Sequence, residues 1–129
     1  MPRISLVVPA WNEAARLPRL FDSIDAARAR WRDAGGRDED IEVIVGDNAS
    51  TDATAAVAGA RGARVVPVAQ RRIACARNGG AAIARGEVIA FVDADSVLHP
   101  EVLLAVDAAM RDPRTLGVLV RQLRLLTAR

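Results

Sequence analysis

The chain of 129 residues contains no lysine, a single cysteine and a single histidine, and only 3% of its residues are aromatic. Cys75 alone excludes a disulfide framework and a cysteine-based zinc site, and His99 alone excludes a histidine-rich metal site. No apolar run approaches the roughly 20 residues that span a bilayer. The apolar stretch that ends at Pro9 is too short for a secretory signal. We therefore expect a cytoplasmic protein without a transmembrane segment, with peripheral attachment to a membrane as the alternative.

The basic residues are all arginines, 18 of them, and acidic residues offset most of their charge to leave a net +2. The arginines are dispersed and aromatic side chains are scarce, so the stacking platforms of single-strand nucleic-acid binders are missing. The sequence also lacks the G-x-G-x-x-G and G-x-x-x-x-G-K-[ST] patterns of dinucleotide and P-loop sites. It has no G-x-S-x-G nucleophile elbow either. We expect no nucleic-acid partner.

Apolar segments of two kinds alternate along the chain, and 51% of all residues are hydrophobic. Short continuous runs predict strands, and apolar residues at helical spacing predict helices between them. The predicted strands cover residues 4–8, 41–45, 64–68, 87–92 and 116–120. Asn12 is predicted to cap the first helix and Gly86 to close the third. The pattern indicates one α/β domain over residues 1–129, with a mostly parallel sheet and helices on both faces.

Polar residues follow the predicted strands at the edge where such sheets bind ligands. Asp93 and Asp95 directly follow the fourth strand, and alternate residues of a strand point the same way. Both carboxylates can therefore face one site, where they suit a hard cation such as Mg²⁺ or Mn²⁺ with positions left for water and substrate phosphates. In the alternative interpretation, one aspartate caps the turn to the next helix and the other is solvated.

Other polar residues near this edge have both a structural and a functional interpretation. Asp47 ends the second strand, where its carboxylate suits a base or ribose but also an Asx turn. For Asn12 we favour the helix cap, and Glu13 in the first helical turn would favour the helix dipole. Residues 50–52 (Ser-Thr-Asp) are interpreted as caps of the following helix.

Arginines and the lone histidine are further candidates. Arg71, Arg72 and Arg77 lie before or inside the third helix, where they suit bidentate phosphate contacts or a solvated helix face. His99 is either a neighbour of the cap at Pro100 or a group that approaches the metal. The small residues 78–80 (Asn-Gly-Gly) allow close backbone approach or tight packing on the sheet.

Four segments, in this order and spacing, resemble the family 2 glycosyltransferases of the GT-A fold. They are ISLVVPAWNEAARLPRLFDSI (4–24), IEVIVGDNASTDAT (41–54), RRIACARNGGAAIARGEVIAFVDADS (71–96) and LHPEVL (98–103). The resemblance covers about residues 3–112 and leaves 113–129 as a divergent tail. It implies the N-terminal, nucleotide-sugar-binding half of a Rossmann-like nucleotide-diphospho-sugar transferase fold, in truncated form.

The resemblance also implies roles for single residues. The substrate-binding set is Pro9, Glu13, Asp47, Arg72 and Asp93. In it, Pro9 and its neighbours line the base pocket, Asp47 contacts the base, and Arg72 approaches the base or diphosphate. Asp93-Ala94-Asp95 matches the D-x-D motif, with Asp95 as the direct metal ligand and Asp93 facing the ribose or a metal-bound water. The bound Mg²⁺ or Mn²⁺ would stabilise the leaving nucleotide.

The chain departs from the family in its last part. The acceptor half of the family includes an acidic residue that acts as general base in inverting members, yet only Asp112 follows the fourth helix here, and it is badly placed for that role. We expect a glycosyltransferase that uses a nucleotide-diphosphate sugar, a divalent metal and an unknown acceptor, and is inactive as this short chain. The alternative is a non-catalytic nucleotide- or partner-binding module that arose as a truncated or frameshifted fragment. The apolar C-terminal region predicts self-association.

Overall fold

The computed structural model describes residues 1–115, which form four strands and four helices in strict alternation. The elements are β1 (Ile4–Ala10), α1 (Leu17–Asp33), β2 (Ile41–Asp47), α2 (Thr54–Ala60), β3 (Arg64–Pro67), α3 (Ile73–Ile83), β4 (Val88–Phe91) and α4 (Val102–Arg111), with a short 3-10 helix at Asp38–Asp40. The predicted order is confirmed as far as α4. The predicted fifth strand at 116–120 and the self-association of the tail lie outside the described residues.

The four strands form one parallel sheet in the order β3-β2-β1-β4. The β1–β2 register runs from Ile4 beside Ile41 to Ala10 beside Asp47. Because the two central strands end together, the loops that follow them lie side by side. Pro67 ends β3 at an edge of the described sheet, as its missing N–H predicts.

The main core lies on the face of the sheet that α1 covers, with α2 and α4 on either side of this helix. Leu20, Phe21 and Ile24 are at most 2% exposed and belong to one cluster with β1 and β2 side chains. Val102 and Leu103 of α4 join this cluster from the other side of α1. Among residues 1–115, no helix is long and apolar enough to cross a bilayer.

The opposite face carries α3, which packs unusually close to the sheet. A Cβ atom at Gly80 would lie 2.4 Å from Cγ1 of Val7, and a Cβ atom at Gly46 would lie 2.4 Å from the carbonyl oxygen of Ala76. Of the two interpretations of residues 78–80, the structure confirms tight packing on the sheet. Substitution of either glycine would push α3 away from β1 and β2.

The face of β4 on the α3 side is open, which corrects the prediction of a fully buried strand. Val88 is buried, but Ile89 and Phe91 are 41% and 50% exposed. The reason is that α3 packs over β1, β2 and β3. Within residues 1–115, the expected covering of both faces therefore holds for these three strands and not for β4.

Two predicted helix ends are wrong. Helix α1 begins at Leu17 after Arg16, so Asn12 is too far away to cap it. Helix α3 ends at Ile83, and Gly86 has an ordinary negative φ. A Cβ atom at Gly86 would lie 2.6 Å from Oγ of Ser5, so this glycine is needed for close approach to β1 rather than for a cap.

Candidate functional site

The end of β1 extends past the end of β4 at the carboxyl edge of the sheet. Val7 accepts a hydrogen bond on its carbonyl oxygen from the N–H of Val92, at 2.9 Å. Pro9, two residues later, presents its backbone on the same side, where β4 has already ended. The missing N–H of this buried proline therefore breaks no ladder bond. Pro9 lies at the edge to which all the candidate loops belong.

Asp47, the last residue of β2, makes the predicted turn with one of its two carboxylate oxygens. Its Oδ1 atom accepts a hydrogen bond from the N–H of Ser50 at 3.2 Å, which makes the predicted turn. Its Oδ2 atom accepts no hydrogen bond from the part of the chain that the structure describes. The half-buried carboxylate thus shapes its loop with one oxygen and keeps the other available for a ligand.

The loop after β1 is tied to the loop after β2 by its own backbone. Three successive N–H groups, at residues 12–14, each donate to a side-chain oxygen of the second segment. The acceptors, in order, are Ser50 Oγ at 2.9 Å, Thr54 Oγ1 at 3.0 Å and Asp52 Oδ2 at 3.2 Å. Ser50 and Asp52, which we expected only to cap the next helix, therefore join the two loops.

Asn12 completes this connection in the opposite direction. Its Oδ1 atom accepts hydrogen bonds from the N–H groups of Thr51 at 2.8 Å and Asp52 at 3.3 Å. Asp52 also accepts from the N–H and hydroxyl of Thr54, the first residue of α2, as predicted for a residue at a helix start. These bonds from Thr54 hold the pKa of the Asp52 carboxyl below its ordinary value. Asn12 is therefore a link between loops rather than a helix cap.

Glu13 lies before α1 and not in its first turn as predicted, because the helix begins only at Leu17. The carbonyl oxygen of Glu13 accepts the N–H of Leu17, and its carboxylate accepts a hydrogen bond from Arg16 at 3.2 Å. The side chain is 21% exposed. The fold thus brings Glu13 to the same loop pair as Asp47 but commits its carboxylate partly to Arg16.

The arginines before α3 occupy different positions. Arg71 stacks on the ring of Trp11, with its guanidinium carbon 4.3 Å from the ring centre. Arg72 immediately precedes α3 and is exposed, and in residues 1–115 its side chain makes no hydrogen bond or ion pair. The structure therefore brings Arg71 against the β1–α1 loop and leaves the side chain of Arg72 exposed at the start of α3.

Asp93 and Asp95 lie in a turn after β4, so the strand geometry we predicted for them is wrong. Strand β4 ends at Phe91, and the N–H of Ser96 donates to the carbonyl oxygen of Asp93 at 3.0 Å. Between the two aspartates, Ala94 is 5% exposed and belongs to the core, whereas both carboxylates are exposed. Burial of Ala94 thus directs the flanking aspartates outward.

Arg77 of α3 is the arginine that approaches the D-x-D turn. Its Nη2 atom lies 3.9 Å from Oδ1 of Asp93, and its guanidinium carbon lies 5.9 Å from the centre of the Phe91 ring. From the sequence, Arg77 was only one of three arginines that suited a phosphate contact. The sequence places Arg77 one helical turn after the start of α3, which distinguishes it from the other two arginines. It does not show which strand this part of α3 faces, so the contact with the D-x-D turn could not be predicted.

The aspartate pair fits a metal that the substrate helps to hold. In the described range, no three potential ligands among His, Cys, Asp and Glu come together. Mg²⁺ and Mn²⁺ are commonly held by one or two carboxylates together with water and substrate phosphates, so two exposed carboxylates suffice. The Nδ1 atom of His99 accepts the N–H of Glu101 at 3.1 Å, which confirms His99 as a neighbour of the helix start.

Comparisons with known proteins agree with the sequence and the fold. The profile of "Glycosyl transferase family 2" matches residues 5–124. Validoxylamine A glucosyltransferase of Streptomyces hygroscopicus subsp. jinggangensis is 36% identical over 119 residues, which is 88% of this chain and 26% of that protein. Dolichyl-phosphate beta-glucosyltransferase of Drosophila melanogaster is 37% identical over 104 residues, or 71% of this chain and 30% of that protein.

Two solved structures share the fold at appreciable sequence identity. One is the mannosyltransferase PcManGT of Pyrobaculum calidifontis in complex with GDP-Man and Mn²⁺, with a TM-score of 0.74, 27% identity, and coverage of 87% of this chain and 33% of that one. The other is glucosyl-3-phosphoglycerate synthase of Mycobacterium tuberculosis with Mn²⁺, UDP and glucosyl-3-phosphoglycerate, with a TM-score of 0.65, 29% identity, and coverage of 88% and 41%. This chain spans about a quarter to a third of the length of the curated relatives it matches.

Proposed function

Since this chain belongs to glycosyltransferase family 2 and has the GT-A fold, we propose that it binds a nucleoside-diphosphate sugar with a divalent cation for transfer to an acceptor. One observation carries the proposal. The carboxyl ends of β1, β2 and β4 bring Pro9, the free oxygen of Asp47 and the Asp93–Asp95 turn to the same edge of the sheet. Two chemically distinct groups, a base and a diphosphate, can be held there side by side.

The base side of the proposed site lies over β1 and β2. The Oδ2 atom of Asp47 can accept a hydrogen bond from an N–H group of a nucleobase, beside the buried backbone of Pro9. Glu13 stands in the adjoining loop, and Arg72 has an exposed guanidinium at the start of α3 for the base or the diphosphate. These assignments follow the family resemblance and the positions of the residues along one edge.

The diphosphate side lies at the end of β4. We assign Asp95 as the direct ligand of Mg²⁺ or Mn²⁺, and Asp93 as the residue that faces the ribose or a metal-bound water. The chemistry that a bound cation supplies is neutralisation of the charge on the leaving nucleoside diphosphate. Arg77, beside Asp93, offers a guanidinium for a diphosphate oxygen. The similar enzymes in complex with Mn²⁺ and GDP-Man or UDP support this choice of cation and donor.

A second candidate function is non-catalytic binding of a nucleotide or a partner, and the acidic residues after the D-x-D turn favour it. Up to residue 115, each of them is already paired with arginine: Glu101 with Arg30, Asp107 with Arg3 and Arg111, and Asp112 with Arg114. Against the effect of burial, the arginine bonds lower the pKa of the Asp107 carboxyl, and the bonds from Arg114 lower that of Asp112, which makes both groups weaker bases. In this second candidate function, the described part of the chain binds a nucleotide or a partner without activating an acceptor.

Calorimetric titration tests the donor site. UDP and GDP are titrated into the protein with Mn²⁺, with Mg²⁺ and with excess chelator. We expect binding of at least one nucleotide that disappears with chelator, and a loss of about tenfold or more in affinity for Asp95→Asn. His99→Ala is the control and should stay within about twofold of wild type, because its ring accepts a backbone N–H.

The outcomes separate the parts of the proposal. Equal metal-dependent binding by Asp95→Asn would remove Asp95 from the metal site. A tenfold loss in the folded His99→Ala protein would add His99 to it. Absence of heat with every nucleoside diphosphate and either cation would contradict the donor site as a whole.

A further inference from the structure

We propose that Asn12 is a positioning residue for base recognition, which holds the β2–α2 loop so that Asp47 keeps one carboxylate oxygen free for the nucleobase. The inference rests on the proposed function and deepens it. Asn12 itself would not touch the nucleotide. Its effect on binding would pass through the loop that carries Asp47.

Asn12 combines an unfavourable backbone conformation with a side chain that makes several hydrogen bonds. Its backbone lies in the left-handed region, at φ +51°. Glycine adopts this conformation freely, and asparagine is one of the few other residues that tolerate it well. From this conformation, Oδ1 accepts the N–H of Thr51 and the N–H of Asp52, with the Thr51 hydroxyl at 3.3 Å. One amide oxygen thus fixes two successive peptide groups of a loop 39 and 40 residues away.

Ser50 connects Asn12 to Asp47. Its hydroxyl oxygen accepts the N–H of Asn12 at 2.9 Å, and its own N–H donates to Oδ1 of Asp47 at 3.2 Å. The Asp47 rotamer that frees Oδ2 therefore depends on the position of Ser50. That position depends on the loop that Asn12 holds from the other side. Loss of the amide oxygen should release the loop and let the Asp47 side chain leave this orientation.

The diphosphate side of the site is held independently. The D-x-D turn is fixed by burial of Ala94 and by the hydrogen bond from Ser96 N–H to Asp93. The segment after it is anchored where the N–H of Leu98 donates to Oγ of Ser23, at 2.9 Å. Neither contact involves the β1–α1 or β2–α2 loop. A change at Asn12 should therefore weaken recognition of the base and leave binding of the diphosphate intact.

The experiment compares two ligands in three variants. Affinities for the preferred nucleoside diphosphate and for inorganic pyrophosphate are measured with Mn²⁺. Asn12→Ala and Asn12→Gly should each lose about tenfold for the nucleotide and less than about twofold for pyrophosphate. Glycine relieves the backbone strain but lacks the oxygen, so its loss isolates the amide. Asn12→Asp keeps an acceptor oxygen and should recover nucleotide affinity to within about threefold of wild type.

A double-mutant cycle and a stability control complete the test. Asp47→Ala and the double variant Asp47→Ala/Asn12→Ala should bind the nucleotide equally, because Asn12 acts through Asp47. Asp40→Ala is the control: Asp40 accepts the indole N–H of Trp31 at the opposite edge of the sheet, so its loss should lower the melting temperature without changing either affinity.

Each outcome has a defined meaning. Unchanged nucleotide affinity in Asn12→Ala, an equal loss for pyrophosphate, or additive losses in the cycle would overturn the positioning role while nucleotide binding by wild type stands. Failure of wild type to bind any nucleoside diphosphate would overturn the proposed function, and this inference would fall with it.

Discussion

At the scale of single residues, backbone strain is concentrated next to the proposed base site. In the described residues, Asn12 and Ala49 are the non-glycine residues with positive φ, and both belong to the loops that flank Asp47. Asn12 uses its side chain to hold the neighbouring loop, whereas Ala49 is exposed and has only a methyl group. The strain at Ala49 is therefore offset by the contacts of its neighbours and not by its own side chain.

Replacing Ala49 with glycine should stabilise the protein. An alanine in the left-handed region, here at φ +58°, costs about 1–2 kcal/mol of stability, which glycine would avoid. Glycine in turn costs about 0.5–1 kcal/mol, because its unfolded chain has more conformational entropy to lose. We expect Ala49→Gly to raise the free energy of unfolding by about 0.5–1 kcal/mol in urea titrations. Ala69→Gly, at an exposed position with negative φ, should lower it slightly. A less stable Ala49→Gly protein would show that the methyl group makes a favourable contact.

At the scale of secondary-structure elements, one carboxylate joins three pieces of the fold. Glu42 of β2 accepts hydrogen bonds from Ser5 of β1, from the backbone N–H of Arg85 in the α3–β4 connection and from the guanidinium of Arg64 in β3. Oγ of Ser5 in turn accepts the N–H of Gly86. This network fixes the chain where it enters β4. Since the D-x-D turn follows the other end of β4, the network contributes to its position.

The pH dependence of stability should report on this network. Burial alone would raise the pKa of the Glu42 carboxyl, but the hydrogen bonds from Ser5, Arg85 and Arg64 outweigh burial and lower it. A lowered folded-state pKa gives stability that is present above the unfolded-state pKa and is lost as pH falls through the folded-state pKa. The contribution of Glu42 should therefore disappear in acid.

We expect Glu42→Gln to lose about 1–3 kcal/mol of unfolding free energy at pH 7 and to approach wild type as the pH falls below the ordinary glutamate pKa of 4.5. Urea titrations at several pH values would measure both effects. Glu87→Gln is the matched control: Glu87 is 62% exposed and pairs with Arg3 at the surface, so its loss should cost less than about 1 kcal/mol. A difference between Glu42→Gln and wild type that stays constant from pH 7 into acid would contradict the lowered pKa of Glu42.

At the scale of the whole molecule, the proposed donor site occupies one edge of the described sheet. The acidic groups that follow the D-x-D turn within residues 1–115 are paired with arginines. The α3-side face of β4 also stays open at Ile89 and Phe91. This arrangement is consistent with a chain that spans about a quarter to a third of the length of its curated relatives.

We expect the 129-residue chain to bind donor without efficient transfer to an acceptor. Transfer needs a positioned acceptor hydroxyl and, in inverting enzymes, a base within hydrogen-bond reach of it. Slow hydrolysis of the donor can still occur, because water needs little positioning. A mass-spectrometric assay with lipid, sugar and protein acceptors, run beside a hydrolysis control, measures both reactions. Robust acceptor-dependent turnover would show that a residue of this chain, or of a second copy of it, serves as the base in place of the family's acceptor half.

Local pattern was enough to determine the order of elements and the edge that carries the site. The strands predicted at 4–8, 41–45, 64–68 and 87–92 are found at Ile4–Ala10, Ile41–Asp47, Arg64–Pro67 and Val88–Phe91. Alternation of apolar runs with helical spacing makes such a sheet parallel, and parallel strands put their carboxyl ends on one edge. The D-x-D pair and Asp47 could therefore be placed at this edge from the sequence, and the motif order also gave the family.

The tertiary structure alone decided which polar groups meet across long stretches of the sequence. Asn12 was expected to cap a helix close to it in sequence, but its partners lie 39 and 40 residues away. Gly86 had the spacing of a helix end and serves instead as the point of contact with Ser5, 81 residues distant. Of the three candidate arginines, Arg77 is the one that approaches the D-x-D turn, because the packing of α3 on the sheet sets its direction. Periodicity encodes which face of an element is apolar, whereas hydrogen-bond partners follow from how distant elements pack.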